Sequence, residues 1–104
     1  MKGNSMPRVM FTISYSIKPE NRDQYLALMK EMKDHLTSVG KHDYSVFEAK
    51  GKKNHFTEVF VTNSVEEFDN LEDNLDEKTQ QLVGNLEGFV DNGGMKYNTI
   101  VEIL

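Results

Sequence analysis

From residue 8 to residue 18 apolar and polar side chains alternate without a break, with Val9, Phe11, Ile13, Tyr15 and Ile17 on one side and Met10, Thr12, Ser14 and Ser16 on the other. A period of two belongs to a strand with one oily face. Lys18-Pro19 ends the ladder, because proline has no N–H to donate, and Asn21 followed by Gln24 has the form of a variant capping box. The period then changes. Tyr25, Leu28, Met29, Met32, Leu36 and Val39 recur at three- and four-residue steps, and Gly40 closes the run, so a helix is expected directly after the strand. Its length of roughly 27 Å, at about 1.5 Å per residue, matches an eight-residue strand, and one can cover the other lengthwise.

Residues 43–50 and 55–62 read as two further strands around Gly51-Lys52-Lys53-Asn54, an antiparallel hairpin. If that loop has four residues, Lys50 faces His55. Tyr44, Val46, Val59 and Val61 then share one face, and Ser45, Phe47, Phe56, Glu58 and Phe60 share the other. Ser64 with Glu67 makes a capping box for a second helix, whose stripe of Val65, Phe68, Leu71 and Leu75 fails at Glu77, Lys78 and Thr79. It resumes at Leu82, Val83, Leu86, Phe89 and Val90, which reads as two helices with a bend. Asn92-Gly93-Gly94 is a turn, and residues 95–104 alternate again as a last strand. The order strand, helix, strand, strand, helix, strand predicts a ferredoxin-like βαββαβ fold: a four-stranded antiparallel sheet with both helices on one face. Residues 8–104 are expected to form a single domain. Residues 1–7 lack periodicity and are expected to be disordered or a leader, with Met6 a candidate natural start.

Charge narrows the partners. Nine of the 17 acids fall between residues 64 and 92 against the single base Lys78, while the other lysines are scattered apart from Lys50, Lys52 and Lys53 at the hairpin tip. An acidic flank repels phosphate backbones, so no nucleic-acid partner is expected. No apolar run approaches a membrane span, so neither is a membrane partner, and the chain is read as cytoplasmic. Absence of cysteine excludes disulfides, thiolate metal sites and a thiol nucleophile. The three histidines fall far apart in the expected fold, and no metal site or nucleotide-binding pattern occurs, so no metal or cofactor is expected.

With both helices on one face, the open face should carry Met10, Phe47, Phe56, Phe60 and Ile100 among Thr12, Ser14, Ser16, Ser45 and Glu58. That is too oily for water, since roughly several hundred Å² of contiguous apolar surface usually marks an interface or ligand groove. Two such sheets facing each other would make a homodimer and trap a cavity. Glu58, a carboxylate between two phenylalanines, is the candidate catalytic residue: burial would raise its pKa and suit it to take a proton from a phenol or enol, unless a Lys or Arg pairs with it. Thr12, Ser14, Phe47, Phe56 and Phe60 are the candidate ligand-binding residues, and Tyr44 is a further hydrogen-bonding candidate.

The opening strand and proline turn MFTISYSIKPENRDQYLALMKEM, the strand from Tyr44 to Glu48 and the passage FTEVFVTNSVEEFDNL together resemble the dimeric α/β barrel superfamily, and within it the antibiotic biosynthesis monooxygenase-like domains. The resemblance covers residues 9–104 and lies in hydrophobic pattern more than in catalytic signatures. It implies dimerisation of two sheets into a barrel, in a superfamily that includes cofactor-independent quinone-forming oxygenases, haem-degrading enzymes and isomerases. Members commonly carry a tryptophan at the end of the third strand and a histidine on the following helix. Thr62 and Leu71 stand at those positions, which removes the haem ligand and the aromatic wall and disfavours haem degradation. Three functions remain open: a barrel that binds a hydrophobic small molecule, a cofactor-independent monooxygenase-like enzyme acting on a phenolic or polycyclic substrate, and a non-catalytic interaction domain with a packed barrel.

Overall fold

A computed structural model of the chain describes residues 7–71, 73 and 75–104. The segment expected to stay outside the fold lies, apart from Pro7, outside the described residues. The elements are β1 (Val9–Ser16), α1 (Arg22–Ser38), β2 (Asp43–Glu48), β3 (His55–Thr62), α2 (Val65–Asp69), α3 (Glu77–Glu87) and β4 (Lys96–Val101). All four strands join one antiparallel sheet in the order β2-β3-β1-β4, the ferredoxin-like arrangement.

Local chemistry sets the helix ends. A single 3-10 turn, Pro19–Asn21, leads into α1, and the Asn21 side-chain amide donates to Gln24 at 2.7 Å instead of capping the backbone. At the far end Lys41, not Gly40, takes the left-handed conformation, with φ 59°. Gly40 is needed for space: a Cβ there would lie 2.6 Å from the His42 ring and 3.0 Å from the Leu36 carbonyl. Ser64 caps α2 as expected, its Oγ accepting from the Glu67 N–H at 3.0 Å. α2 ends at Asp69 and α3 begins at Glu77, so the break comes before Glu77, Lys78 and Thr79, earlier than the sequence pattern placed it. Asp76 accepts from the Thr79 N–H at 2.8 Å and starts α3, so Glu77, Lys78 and Thr79 form a first turn where the apolar stripe had suggested a break.

The hairpin corrects the expected faces. Glu48 pairs with Phe56, Val46 with Glu58 and Tyr44 with Phe60, while the Ala49 N–H donates to the His55 carbonyl at 2.9 Å. The loop therefore holds five residues, 50–54, with Gly51 and Asn54 both at positive φ. One extra loop residue shifts the register by one, and a shift of one exchanges the faces of β3 relative to β2. Phe56, Glu58 and Phe60 consequently lie with Tyr44 and Val46 on the helix-covered face, opposite Tyr15, Ile13 and Phe11 of β1. Their expected place on the open face is overturned.

The exchange improves burial. Phe56 and Phe60 join Tyr15, Tyr25, Met29, Met32, Leu36, Leu82 and Leu86 in the core, and each enclosed side chain contributes roughly 1.5–3 kcal/mol. The open face keeps Met10, Phe47 and Ile100, which are 39%, 58% and 49% exposed, and gains Val59 and Val61. Met10 pairs with both Val61 and Ile100, giving an apolar patch at one end of a face whose middle is polar. There Ser14 Oγ and Thr57 Oγ1 lie 2.9 Å apart.

Candidate functional site

Glu58 is 3% exposed. It projects from the middle of β3, between Phe56 and Phe60 along the strand and between Val46 and Ile13 across it. The Tyr44 hydroxyl donates to Glu58 Oε1 at 2.7 Å, while Oε2 is buried without a hydrogen-bond partner among the described residues. Two more buried phenols complete the cluster, since Tyr15 and Tyr25 join their hydroxyls at 2.8 Å beneath α1. Aromatic contacts fix the rings: Tyr25 against Phe56 with centroids 4.4 Å apart, and Tyr44 against Phe60 at 4.7 Å.

No lysine, arginine or histidine pairs with this carboxyl among the described residues. The ion pair considered from the sequence is replaced by a phenol. Burial pushes the Glu58 carboxyl above the usual carboxylate range, and the Tyr44 and Tyr15 hydroxyls offset only part of that shift. Burial first, and the Glu58 charge second, push the Tyr44 and Tyr15 hydroxyls far up; burial also raises Tyr25. The three phenols are thus neutral, and the carboxyl holds its proton to higher pH than an exposed carboxylate does. An unpaired buried oxygen costs about 1–3 kcal/mol, a penalty that a hydrogen-bonding ligand would relieve.

Two hollows flank the cluster. A cleft of about 610 Å³ lies between the α1–β2 turn and the β3–α2 turn, walled by His42, Phe60, Thr62, Ser64, Glu67 and Leu71. Phe60 is its inner wall, with Tyr44 behind it and the His42 ring edge-on at 6.0 Å. A groove of about 350 Å³ runs between α1 and the edge strand β2, over Tyr25, Met29, Val46 and Phe56. Glu58 sits between Phe60, which walls the cleft, and Phe56, which floors the groove.

The candidate residues named from the sequence fall into two groups. Glu58, Phe56 and Phe60 come together on the covered face; Thr12, Ser14 and Phe47 lie on the opposite side of the sheet and do not join them. Sequence reasoning missed Tyr15 and Tyr25, which read only as members of apolar stripes. The available signal was two phenols on the same covered layer as Glu58, and it needed the correct register to be seen. Thr62 and Leu71 are both buried, and Thr62 Oγ1 donates to the Ser64 carbonyl at 3.0 Å. His35 pairs with Asp76, His55 with Ser16, and His42 packs on Phe60, and no group of three His, Asp or Glu able to hold a metal occurs among the described residues. No helix among them is long and apolar enough to cross a membrane.

No protein-family model and no curated protein matches the chain. Solved structures do. An antibiotic biosynthesis monooxygenase-type protein from Caulobacter crescentus CB15 superposes with a TM-score of 0.79 at 7% identity, covering 95% of this chain and 92% of its own. A NIPSNAP family protein from Agrobacterium tumefaciens C58 gives 0.74 at 12% identity, with 99% and 92% covered. SnoaB, a cofactor-independent oxygenase from Streptomyces nogalater, gives 0.70 at 7% identity, with 89% and 90% covered. At these identities the likeness is one of fold alone: the chain shares the fold of these solved structures.

Proposed function

We propose that this protein binds a hydrophobic small molecule on the helix-covered side of the sheet, with Glu58 as the polar anchor. The unpartnered Glu58 Oε2 carries the reading. It is a buried polar atom of a carboxyl held still by Tyr44, in a wall of aromatic rings, and a phenol or enol hydroxyl, which can both donate and accept, would satisfy it. The ligand enters from the cleft, and Phe60 rotates to admit it. The open face serves self-association, with Met10, Val61 and Ile100 at the centre of a homodimer interface; Thr12, Ser14 and Phe47 belong to that face and not to the ligand. The absence of cysteine favours a reducing compartment such as the cytoplasm.

A second reading follows from the raised Glu58 carboxyl and the fold shared with a cofactor-independent oxygenase. Here Glu58 takes the proton of a phenolic or polycyclic substrate; the carbon of the resulting phenolate or enolate is oxidised by dioxygen and bonds to it, the peroxide takes the proton back from Glu58, and loss of water leaves a quinone carbonyl, the protein supplying a base and a dry site. The deciding experiment titrates naphthol- and anthrone-type compounds into wild type and Glu58→Gln, following binding by fluorescence and oxygen uptake by electrode. Binding that weakens in Glu58→Gln without oxygen uptake supports the anchor alone. Uptake that is lost in Glu58→Gln supports the oxygenase. Equal binding to both proteins removes Glu58 from either role. Native mass spectrometry of the same samples reports the dimer, and a monomer throughout would overturn the open-face interface.

A further inference from the structure

Glu58 has a tyrosine diagonally placed on each flanking strand. Tyr44 of β2 stands opposite Phe60 and Tyr15 of β1 stands opposite Phe56, so both reach toward the carboxyl from the covered face. Of the two, Tyr44 bonds it, at Oε1. The Tyr15 hydroxyl is instead held 2.8 Å from that of Tyr25, and Oε2 has no partner among the described residues. Tyr15 is nevertheless close enough to pull the Glu58 carboxyl down in the same sense as Tyr44 does. A phenol has one hydrogen to give. If Tyr15 donates to Tyr25, that hydrogen is spent; if Tyr25 donates to Tyr15, it is free for Oε2. Both phenols are buried, so bulk water does not compete for either hydroxyl.

We propose that Tyr15 is a specificity-determining residue of the Glu58 site, an internal competitor for Oε2 that Tyr25 holds in reserve. The inference rests on Glu58 being the anchor of a ligand hydroxyl. Once Tyr15 bonds Oε2 the buried oxygen is satisfied, and a ligand no longer relieves the penalty of leaving it bare. The Tyr15–Tyr25 bond therefore keeps the site open. The ionisable groups facing this cluster are few: Tyr44 from β2, Tyr25 from α1, and beyond Tyr25 the Glu48 carboxylate, which is paired with Arg22 at 2.6 Å. From α3 the buried residues are Thr79, Leu82 and Leu86, and α2 buries none. No charge from those two helices sets the Glu58 proton, so the choice lies with the phenols.

The test compares wild type, Tyr15→Phe, Tyr25→Phe and the double variant, each of which keeps its rings and loses only hydroxyls. Carbon-detected titration follows the Glu58 carboxyl, and fluorescence follows binding of a naphthol. Removing the Tyr25 hydroxyl frees Tyr15 for Oε2, so the Glu58 midpoint should fall and naphthol binding should weaken several-fold. Removing the Tyr15 hydroxyl takes the competitor away, so the midpoint should rise and binding should tighten several-fold. The double variant should follow Tyr15→Phe, because Tyr25 then has nothing left to restrain. Midpoints that move in the same direction in both single variants, or a double variant that follows Tyr25→Phe, would overturn the proposal. Opposed midpoints in a protein that binds no naphthol would uphold Tyr15 as the competitor for Oε2 and remove the anchor reading alone.

Discussion

Tyr44 and Glu58 are diagonal neighbours on adjacent strands, one pair out of register, and this offset lets the phenol reach the carboxyl at 2.7 Å while Val46 stands directly opposite it. A directly opposed tyrosine would stack past the glutamate. The diagonal places the hydroxyl at the end of the carboxyl and leaves the second oxygen unpartnered.

Removing that bond should cost more than an average surface change. Tyr44→Phe keeps the ring against Phe60 and takes away the hydroxyl that donates to Glu58 Oε1. A loss of about 1–3 kcal/mol in urea unfolding is expected. In Glu58→Leu the same Tyr44→Phe change should cost much less, because the acceptor is already gone. Equal costs in the two backgrounds would show that the bond contributes nothing.

Glu58 also fixes a pH dependence. Its folded carboxyl is raised above its unfolded value, so the neutral acid is the form that burial favours. The stability it contributes is complete below the unfolded value of about 4.3 and falls as pH rises through the folded value. Wild type should therefore lose stability relative to Glu58→Gln across that window, by up to about 1.4 kcal/mol per pH unit for one proton. Denaturation at a series of pH values checks this, and parallel curves for the two proteins would contradict it.

The carboxyl at the hairpin behaves in the opposite sense. The Arg22 guanidinium, helped by the Asn54 N–H, holds Glu48 down at about 2. Its contribution is present above the unfolded carboxylate value and lost as pH falls toward 2. Carbon-detected titration should find that midpoint in wild type and one moved up toward the ordinary carboxylate range in Arg22→Gln, with the Asn54 N–H holding back part of the change. The Asn54 amide should exchange faster in the variant, because the bridge ties the loop to α1.

Periodicity alone was enough for element order, sheet type and the helix-covered side of β1, because a period of two and a period of 3.6 are visible over eight or more residues. β3 was not legible in the same way. Both of its faces are rich in apolar residues, with Phe56 and Phe60 on one and Val59 and Val61 on the other, so its own pattern does not say which is covered. The choice rested on the length of a lysine-rich loop, and a single residue there moved Glu58 from the open face into the core. The glutamate itself could be singled out from its neighbours. Its phenolic partners could not, since Tyr15 and Tyr25 look like ordinary core residues until β1, α1 and β3 are brought together.

Gly40 tests how the cleft wall is set. It has no left-handed conformation to protect, and its requirement is space, since an added Cβ meets the His42 ring at 2.6 Å and the Leu36 carbonyl at 3.0 Å. Gly40→Ala must rotate His42 away from Phe60, and overpacking of this kind costs about 1–3 kcal/mol. His42→Ala removes the nearer clash, so Gly40→Ala should cost less in that background, with a remainder from the Leu36 carbonyl. If Phe60 is the inner wall of the ligand's entry path, losing the His42 ring should also speed association of a Glu58-bound ligand while its dissociation speeds up in proportion. Stopped-flow fluorescence separates the two rates. An unchanged association rate in His42→Ala would place the entry path elsewhere than the cleft.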